Sequence, residues 1–154
     1  MALKNKPTNS PAANELAITR ILNAPRELVW EAWTDPKHLA RWWGPNGFTT
    51  TTHKIEVKEG GEWDFIMHGP DGADYKNRIV FNTLIKPELI TYSNITRPKF
   101  DVTITFNKFG TKTKLNVLMV FDSAEDYDVA VNTFGAKQGL QQHIGRLKEF
   151  VEKM

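Results

Sequence analysis

Between Phe48 and Phe121 the chain alternates apolar and polar residues in one segment after another, each ended by a short turn. Trp63, Phe65 and Met67 take every second place, and so do Tyr75, Asn77, Ile79 and Phe81. Phe100, Val102, Ile104 and Phe106 repeat the pattern, followed by Leu115, Val117, Met119 and Phe121. A period of two puts each set on one face of a strand. The breaks at Glu59-Gly60-Gly61-Glu62, Gly69-Pro70-Asp71-Gly72, Lys86-Pro87-Glu88 and Gly110 carry residues suited to tight turns. With further strands predicted over residues 49–57 and 89–95, six consecutive strands make an antiparallel meander. Leu16, Ile18 and Leu22 mark an opening strand that closes at Asn23-Ala24-Pro25.

The alternation also predicts a register. Setting Val57 against Trp63 puts Ile55 against Phe65 and His53 against Met67, with a three-residue loop at 59–61. The next hairpin sets Met67 against Tyr75, Phe65 against Asn77 and Trp63 against Ile79. One sheet face then collects Ile55, Val57, Trp63, Phe65, Met67, Tyr75, Ile79 and Phe81.

A face of that size needs a cover, and the C-terminal segment supplies one. Leu140, Ile144, Leu147 and Val151 fall at spacings of four, three and four, one apolar stripe of a long helix. Phe134 and Phe150 lie beside it. Ser123-Ala124-Glu125-Asp126 opens this segment as a capping box with aspartate in the glutamate place, and Phe134-Gly135 marks a kink. Two short helices separate the first strand from the meander. Trp30 and Trp33 share a face of the first. Asp35-Pro36 caps and starts the second, which carries His38, Leu39, Trp42 and Trp43 and stops at Gly44-Pro45. Four of the five tryptophans sit in this pair. Tryptophan at helical spacing more often anchors a core than touches a ligand, so the pair reads as a lid packed over the sheet.

A length of 154 residues suits one domain. We predict a flexible N-terminal tail over residues 1–14, free of an apolar signal centre, and a single domain over 15–154. Twenty Lys and Arg against eighteen Asp and Glu leave +2. That balance gives no broad field for nucleic acid or an acidic membrane. No apolar run reaches the roughly eighteen residues that a spanning helix needs. Cysteine is absent, which removes disulfides, thiolate metal sites and thiol nucleophiles and fits a reducing compartment. The expected location is cytoplasmic.

The chemistry-bearing residues are scattered. No two of His38, His53, His68 and His143 have helical metal spacing. The register sends His53 to the inner face and His68 to the outer one. Glu27 and Glu31 share a helix face beside tryptophans, with no basic partner fixed by spacing. No nucleophile elbow, phosphate loop or dinucleotide fingerprint is present. We therefore expect no catalytic residue, no metal and no cofactor. The inner face, gripped by one helix, either fills solidly or encloses a pocket. The candidate ligand-binding residues are Trp63, Phe65, Met67, Tyr75, Asn77, Ile79, Phe81, Phe134 and Gln138. Asn77 and Gln138 are the polar members, and a polar group among apolar neighbours needs a partner.

Several stretches carry a resemblance. They are Val29 through Pro45 (Val-Trp-Glu-Ala-Trp-Thr-Asp-Pro-Lys-His-Leu-Ala-Arg-Trp-Trp-Gly-Pro), Glu59-Gly60-Gly61-Glu62-Trp63-Asp64-Phe65, Met67-His68-Gly69-Pro70-Asp71-Gly72, and Tyr75-Lys76-Asn77-Arg78-Ile79-Val80-Phe81. With the closing helix around Gly139 to Leu147, the chain resembles the activator-of-heat-shock-protein-90-ATPase homologue-like family. That family belongs to the START-like, birch-pollen-allergen-like (SRPBCC) superfamily. The likeness covers about residues 15–152. It implies an α+β helix-grip fold: a seven-stranded curved antiparallel sheet wrapped on a long C-terminal helix, with two short helices after the first strand. Where many relatives carry a tryptophan after the closing-helix glycine, this chain reads Gly139-Leu140.

The superfamily uses the fold to hold lipids, sterols, polyketides and other apolar molecules, and a few branches catalyse reactions in the cavity. The first expectation is thus a small apolar-ligand binder. The second is a chaperone-associated or other protein-interaction module, which calls for an exposed apolar patch near Trp42 and Trp43. The third is an enzyme acting on a hydrophobic substrate, which calls for a titratable group with a shifted pKa inside the cavity. Monomer and homodimer both remain open, and a role in stress response goes with the family.

Overall fold

The computed structural model describes residues 14–154. The tail predicted over 1–14 lies, apart from Asn14, outside the described residues. Seven strands make one curved antiparallel sheet: β1 (Glu15–Leu22), β2 (Thr49–Ile55), β3 (Glu62–His68), β4 (Asp74–Ile85), β5 (Leu89–Asn94), β6 (Phe100–Phe109) and β7 (Lys112–Phe121). Their order in space is β1-β7-β6-β5-β4-β3-β2. Consecutive strands from β2 to β7 pair as neighbours, as short turns require. The opening strand is the exception. It pairs with the last one, Ile18 against Val117, and so sits at the far edge from β2.

Two helices bridge that gap, α1 (Arg26–Thr34) and α2 (Pro36–Trp42). Asp35 separates them as predicted, its carboxylate accepting the Lys37 N–H at 2.9 Å, with Pro36 opening α2. Trp42 fastens the pair, its indole N–H donating to the Ala32 carbonyl at 3.0 Å. Trp30, Trp33, Trp42 and Trp43 are all buried. Trp33 meets Trp42 and Trp43 edge-on at 4.7 and 5.7 Å between centroids, a favourable aromatic arrangement.

The closing segment is broken. A short helix, α3 (Ala124–Asp128), is capped by Ser123, whose Oγ accepts the Asp126 N–H at 3.0 Å. A π-helical turn (Val129–Thr133) follows, and the chain turns at Gly135, φ 65°, into α4 (Ala136–Glu152). The long helix is thus interrupted where Phe134-Gly135 predicted a kink. Ile144, Leu147 and Val151 of its stripe are fully buried against the sheet. Among the described residues no helix is long and apolar enough to cross a membrane.

The register holds for one hairpin and fails for the other. Trp63 pairs with Ile79, Phe65 with Asn77 and Met67 with Tyr75, as expected. Between β2 and β3, however, Ile55 rather than Val57 lies opposite Trp63, while Thr52 and Thr50 lie opposite Phe65 and Met67. A bulge at His53 takes up one residue. The connection is also longer than three residues, because its glycines pair elsewhere. Gly60 N–H donates to the Phe81 carbonyl at 2.7 Å, and Phe81 N–H to the Gly61 carbonyl at 2.9 Å. His53 is therefore an exposed bulge residue, not an inner-face one. His68 lies between Thr51 and Asp74, its ring nitrogens 2.8 Å from Thr51 Oγ1 and 2.7 Å from Asp74 Oδ1.

Candidate functional site

The sheet does not close solidly on α4. Between them lies an open-mouthed cavity of about 450 Å³. Its floor is Phe65, Ile79, Tyr92, Val102, Val117 and Met119, every one an inward-facing strand residue. Leu140, His143 and Ile144 of α4 form the opposite wall, and Trp33, Trp43 and Gly44 close one end. Tyr75, Phe134, Lys76 and Arg97 also line it, and the exposed members of this group, Lys76, Arg97 and Phe134, mark its mouth. The Tyr75 and Phe134 rings meet edge-on at 6.3 Å.

Of the nine candidates from sequence, six line this space: Phe65, Met67, Tyr75, Asn77, Ile79 and Phe134. Three do not. Trp63 is fully buried behind the wall, stacked on Phe65 at 4.0 Å, its indole N–H donating to Thr52 Oγ1 at 3.1 Å. Phe81 belongs to the closed core. Gln138 lies exposed on α4, so its expected cavity role does not hold; it sits off the helical stripe that faces the sheet. Asn77 finds partners within the protein. Its amide donates to the Tyr75 carbonyl at 3.3 Å, and its Oδ1 accepts from Thr96 Oγ1 at 3.2 Å. Asn94, also lining the cavity, donates to the carbonyls of Thr96 and Pro98 and so shapes the rim.

The residue that sequence reading passed over is His143. Its ring is enclosed by indoles, with Trp43 at 4.5 Å, Trp42 at 5.0 Å and Trp33 at 6.3 Å between centroids. The backbone N–H of Gly44 donates to His143 Nδ1 at 2.9 Å. An N–H can donate only to an unprotonated nitrogen, so the neutral ring carries its proton on Nε2. Burial disfavours the imidazolium and lowers the pKa to about 3, with the nearby Arg146 charge adding to the effect. A signal was present: His143 lies three residues after Leu140 and four before Leu147, on the apolar stripe itself.

Gly44 is held for this contact. Its φ of 93° lies in the left-handed region, and a Cβ there would come within 3.0 Å of Met67 Cε and 3.2 Å of Phe48 Cβ. Arg146 fixes the same loop from α4. Its Nη1 donates to the carbonyls of Trp43, Gly44 and Pro45 at 2.9, 3.1 and 3.0 Å. Its Nη2 reaches the Arg41 carbonyl at 3.4 Å, one of those that the end of α2 leaves free.

Glu31, Asp35 and His38 come together on the outer surface of the helix pair, their ligand-type atoms within 4.8 Å of one another. His38 Nε2 lies 3.1 Å from Glu31 Oε2, and Asp35 is already the cap of α2. This is a hydrogen-bonded cap network, and none of its members lines the cavity.

The family profile described as "Activator of Hsp90 ATPase homolog 1-like protein" matches residues 23–152. Comparison with curated proteins finds no match. Among solved structures, a protein from Chromobacterium violaceum is 25% identical with a TM-score of 0.79, covering 90% of this chain and 98% of its own. One from Nitrosomonas europaea is 19% identical with a TM-score of 0.83, covering 94% and 97%. An AHSA1-like protein from Aeromonas hydrophila is 22% identical with a TM-score of 0.72, covering 90% and 92%. The chain belongs to the Activator of Hsp90 ATPase homolog 1-like family and has the helix-grip fold.

Proposed function

We propose that this chain binds a small apolar molecule between its sheet and α4. The observation that carries the reading is the cavity. Its volume of about 450 Å³ lies within the roughly 300–1,000 Å³ of ordinary ligand sites. Well-packed interiors leave few voids larger than a water molecule, so a space of this size is built rather than left over. Its walls are mostly aromatic and aliphatic, with Asn77, Asn94 and His143 as polar members and Lys76 and Arg97 at the mouth. Lipid, sterol and polyketide-like molecules are the classes that the superfamily suggests.

The competing readings have less behind them: the patch near Trp42 and Trp43 is closed, and the shifted titratable group that an enzyme calls for is present in His143 but shifted away from neutrality. A chaperone-contacting patch at Trp42 and Trp43 would need those rings in solvent, and they are 1% and 7% exposed. An enzyme would need a titratable group suited to its chemistry. His143 lines the cavity, but a pKa of about 3 leaves it a weak base near neutrality, where general bases work best with a pKa near the working pH.

The test is a melting curve with apolar and polar compound sets. A ligand that binds only the folded chain stabilises it by about 2.7 kcal/mol at one hundred times its dissociation constant. For a chain of this size each kcal/mol raises the midpoint by about 2–4 °C. Apolar molecules of lipid or sterol size should give such shifts and polar metabolites should not. No shift across a broad apolar set would overturn the reading.

A further inference from the structure

The cavity walls are mostly apolar, and three neutral donors of lining residues lack a partner among the described residues: the enclosed Trp33 Nε1, and the accessible His143 Nε2 and Tyr92 hydroxyl. His143 Nδ1 is taken by Gly44 N–H, so Nε2 is the protonated nitrogen, and it has no hydrogen-bond partner among the described residues. The Nε2 edge of the ring is not enclosed by the protein. Tyr92 is 6% exposed and lines the same space, and its hydroxyl likewise has no partner among the described residues. The two rings pack against one indole, Trp43, at 4.5 and 6.1 Å between centroids. Both groups donate, and neither is charged at neutral pH, because burial lowers the basicity of the imidazole and raises the phenol above its ordinary range. Neither donor atom is sealed off by the protein, so both reach the cavity, where the oxygen of a bound molecule can complete them.

We infer that the ligand is a neutral apolar molecule carrying an oxygen acceptor, a ketone or ester carbonyl, and that His143 Nε2–H and the Tyr92 hydroxyl receive that oxygen. This rests on the cavity reading above and narrows it. An uncharged donor pair suits an uncharged acceptor. A carboxylate placed there would be buried, which is costly, and the nearby cation, Arg146, already donates to the carbonyls of Trp43, Gly44 and Pro45. The cations that line the cavity are exposed ones, Lys76 and Arg97, and Arg97 lies 3.5 Å from the Asp126 carboxylate. The donors are held in place. Gly44 fixes the tautomer of His143, and three indoles fix its ring.

A matched set of probes tests this: octanophenone, octylbenzene and phenyloctanoate, titrated calorimetrically at neutral pH. The three share a phenyl ring and an eight-carbon chain and differ in carbonyl, hydrocarbon and carboxylate. Octanophenone should bind about tenfold more tightly than octylbenzene, the scale of one well-made buried hydrogen bond. In Tyr92→Phe and in His143→Asn that ratio should fall toward one. With the wild-type chain labelled at histidine nitrogen, octanophenone should shift the His143 Nε2 resonance and octylbenzene should not; this measurement needs no variant to fold. Equal affinities for ketone and hydrocarbon, or tightest binding of phenyloctanoate, would overturn the inference and leave the cavity reading standing. Failure of all three to bind would overturn both.

Discussion

His143 is where sequence, packing and chemistry meet most closely. Its unfolded-state pKa is near 6.5 and its folded one is about 3. Between those values the unfolded chain holds the extra proton, so stability rises with pH across that window. The contribution is complete above about pH 6.5 and is gone below about pH 3. Other carboxyls titrate in the same range, so the comparison must be with a variant. His143→Asn keeps an acceptor near the Gly44 N–H and cannot titrate. The melting temperature of wild type should fall more steeply than that of His143→Asn as pH drops from 6.5 toward 3. Parallel curves would show that the imidazole is not held neutral by burial. Arg146 makes a second residue-scale case. Arg146→Met removes the donor to three carbonyls at once, and a single hydrogen bond involving a charged group contributes about 1.5–3 kcal/mol. The variant should lose stability on that scale, and amide exchange should speed up over residues 41–46 before it does elsewhere. Unchanged exchange there would mean that the clamp holds nothing.

At the scale of elements, α4 is the part on which both core and cavity depend. Leu147 is fully buried, and Leu147→Ala should cost about 2–5 kcal/mol by opening a void under the helix. Urea denaturation with an unchanged midpoint would contradict that. The same helix shows what was legible in the sequence. Its stripe, the capped start of α2, the meander and the β3–β4 register all followed from periodicity and turn residues, because each is set by neighbours close in the chain. The β2–β3 register did not follow. It depends on Gly60 and Gly61 pairing with Phe81, twenty residues on, and on a bulge at His53 that four threonines and a lysine do nothing to announce. Gln138 was misplaced for a related reason. Its polarity marks it as a group in need of a partner, but its angle around the helix, away from Leu140 and Ile144, turns it to solvent, which supplies one.

For the whole molecule the decisive question is whether the sheet and α4 grip each other or something between them. Sequence pattern could list the inward residues but not their separation, since a curved sheet carrying the same side chains can close or stay open. Trp63 and Phe81 went into solid core, while Phe65, Met67 and Ile79 went to a cavity wall. The measurement that tests this most directly is calorimetry of octylbenzene with wild type and with a chain whose cavity is filled. Ile79→Trp fills it from the floor, and Leu140→Trp from the helix side, where the half-buried site leaves more room. Wild type should bind one equivalent with a negative heat-capacity change, the mark of apolar burial. At least one filled variant should remain folded by circular dichroism and show no binding. Equal binding by wild type and a folded, filled variant would contradict the account, and so would no binding by wild type.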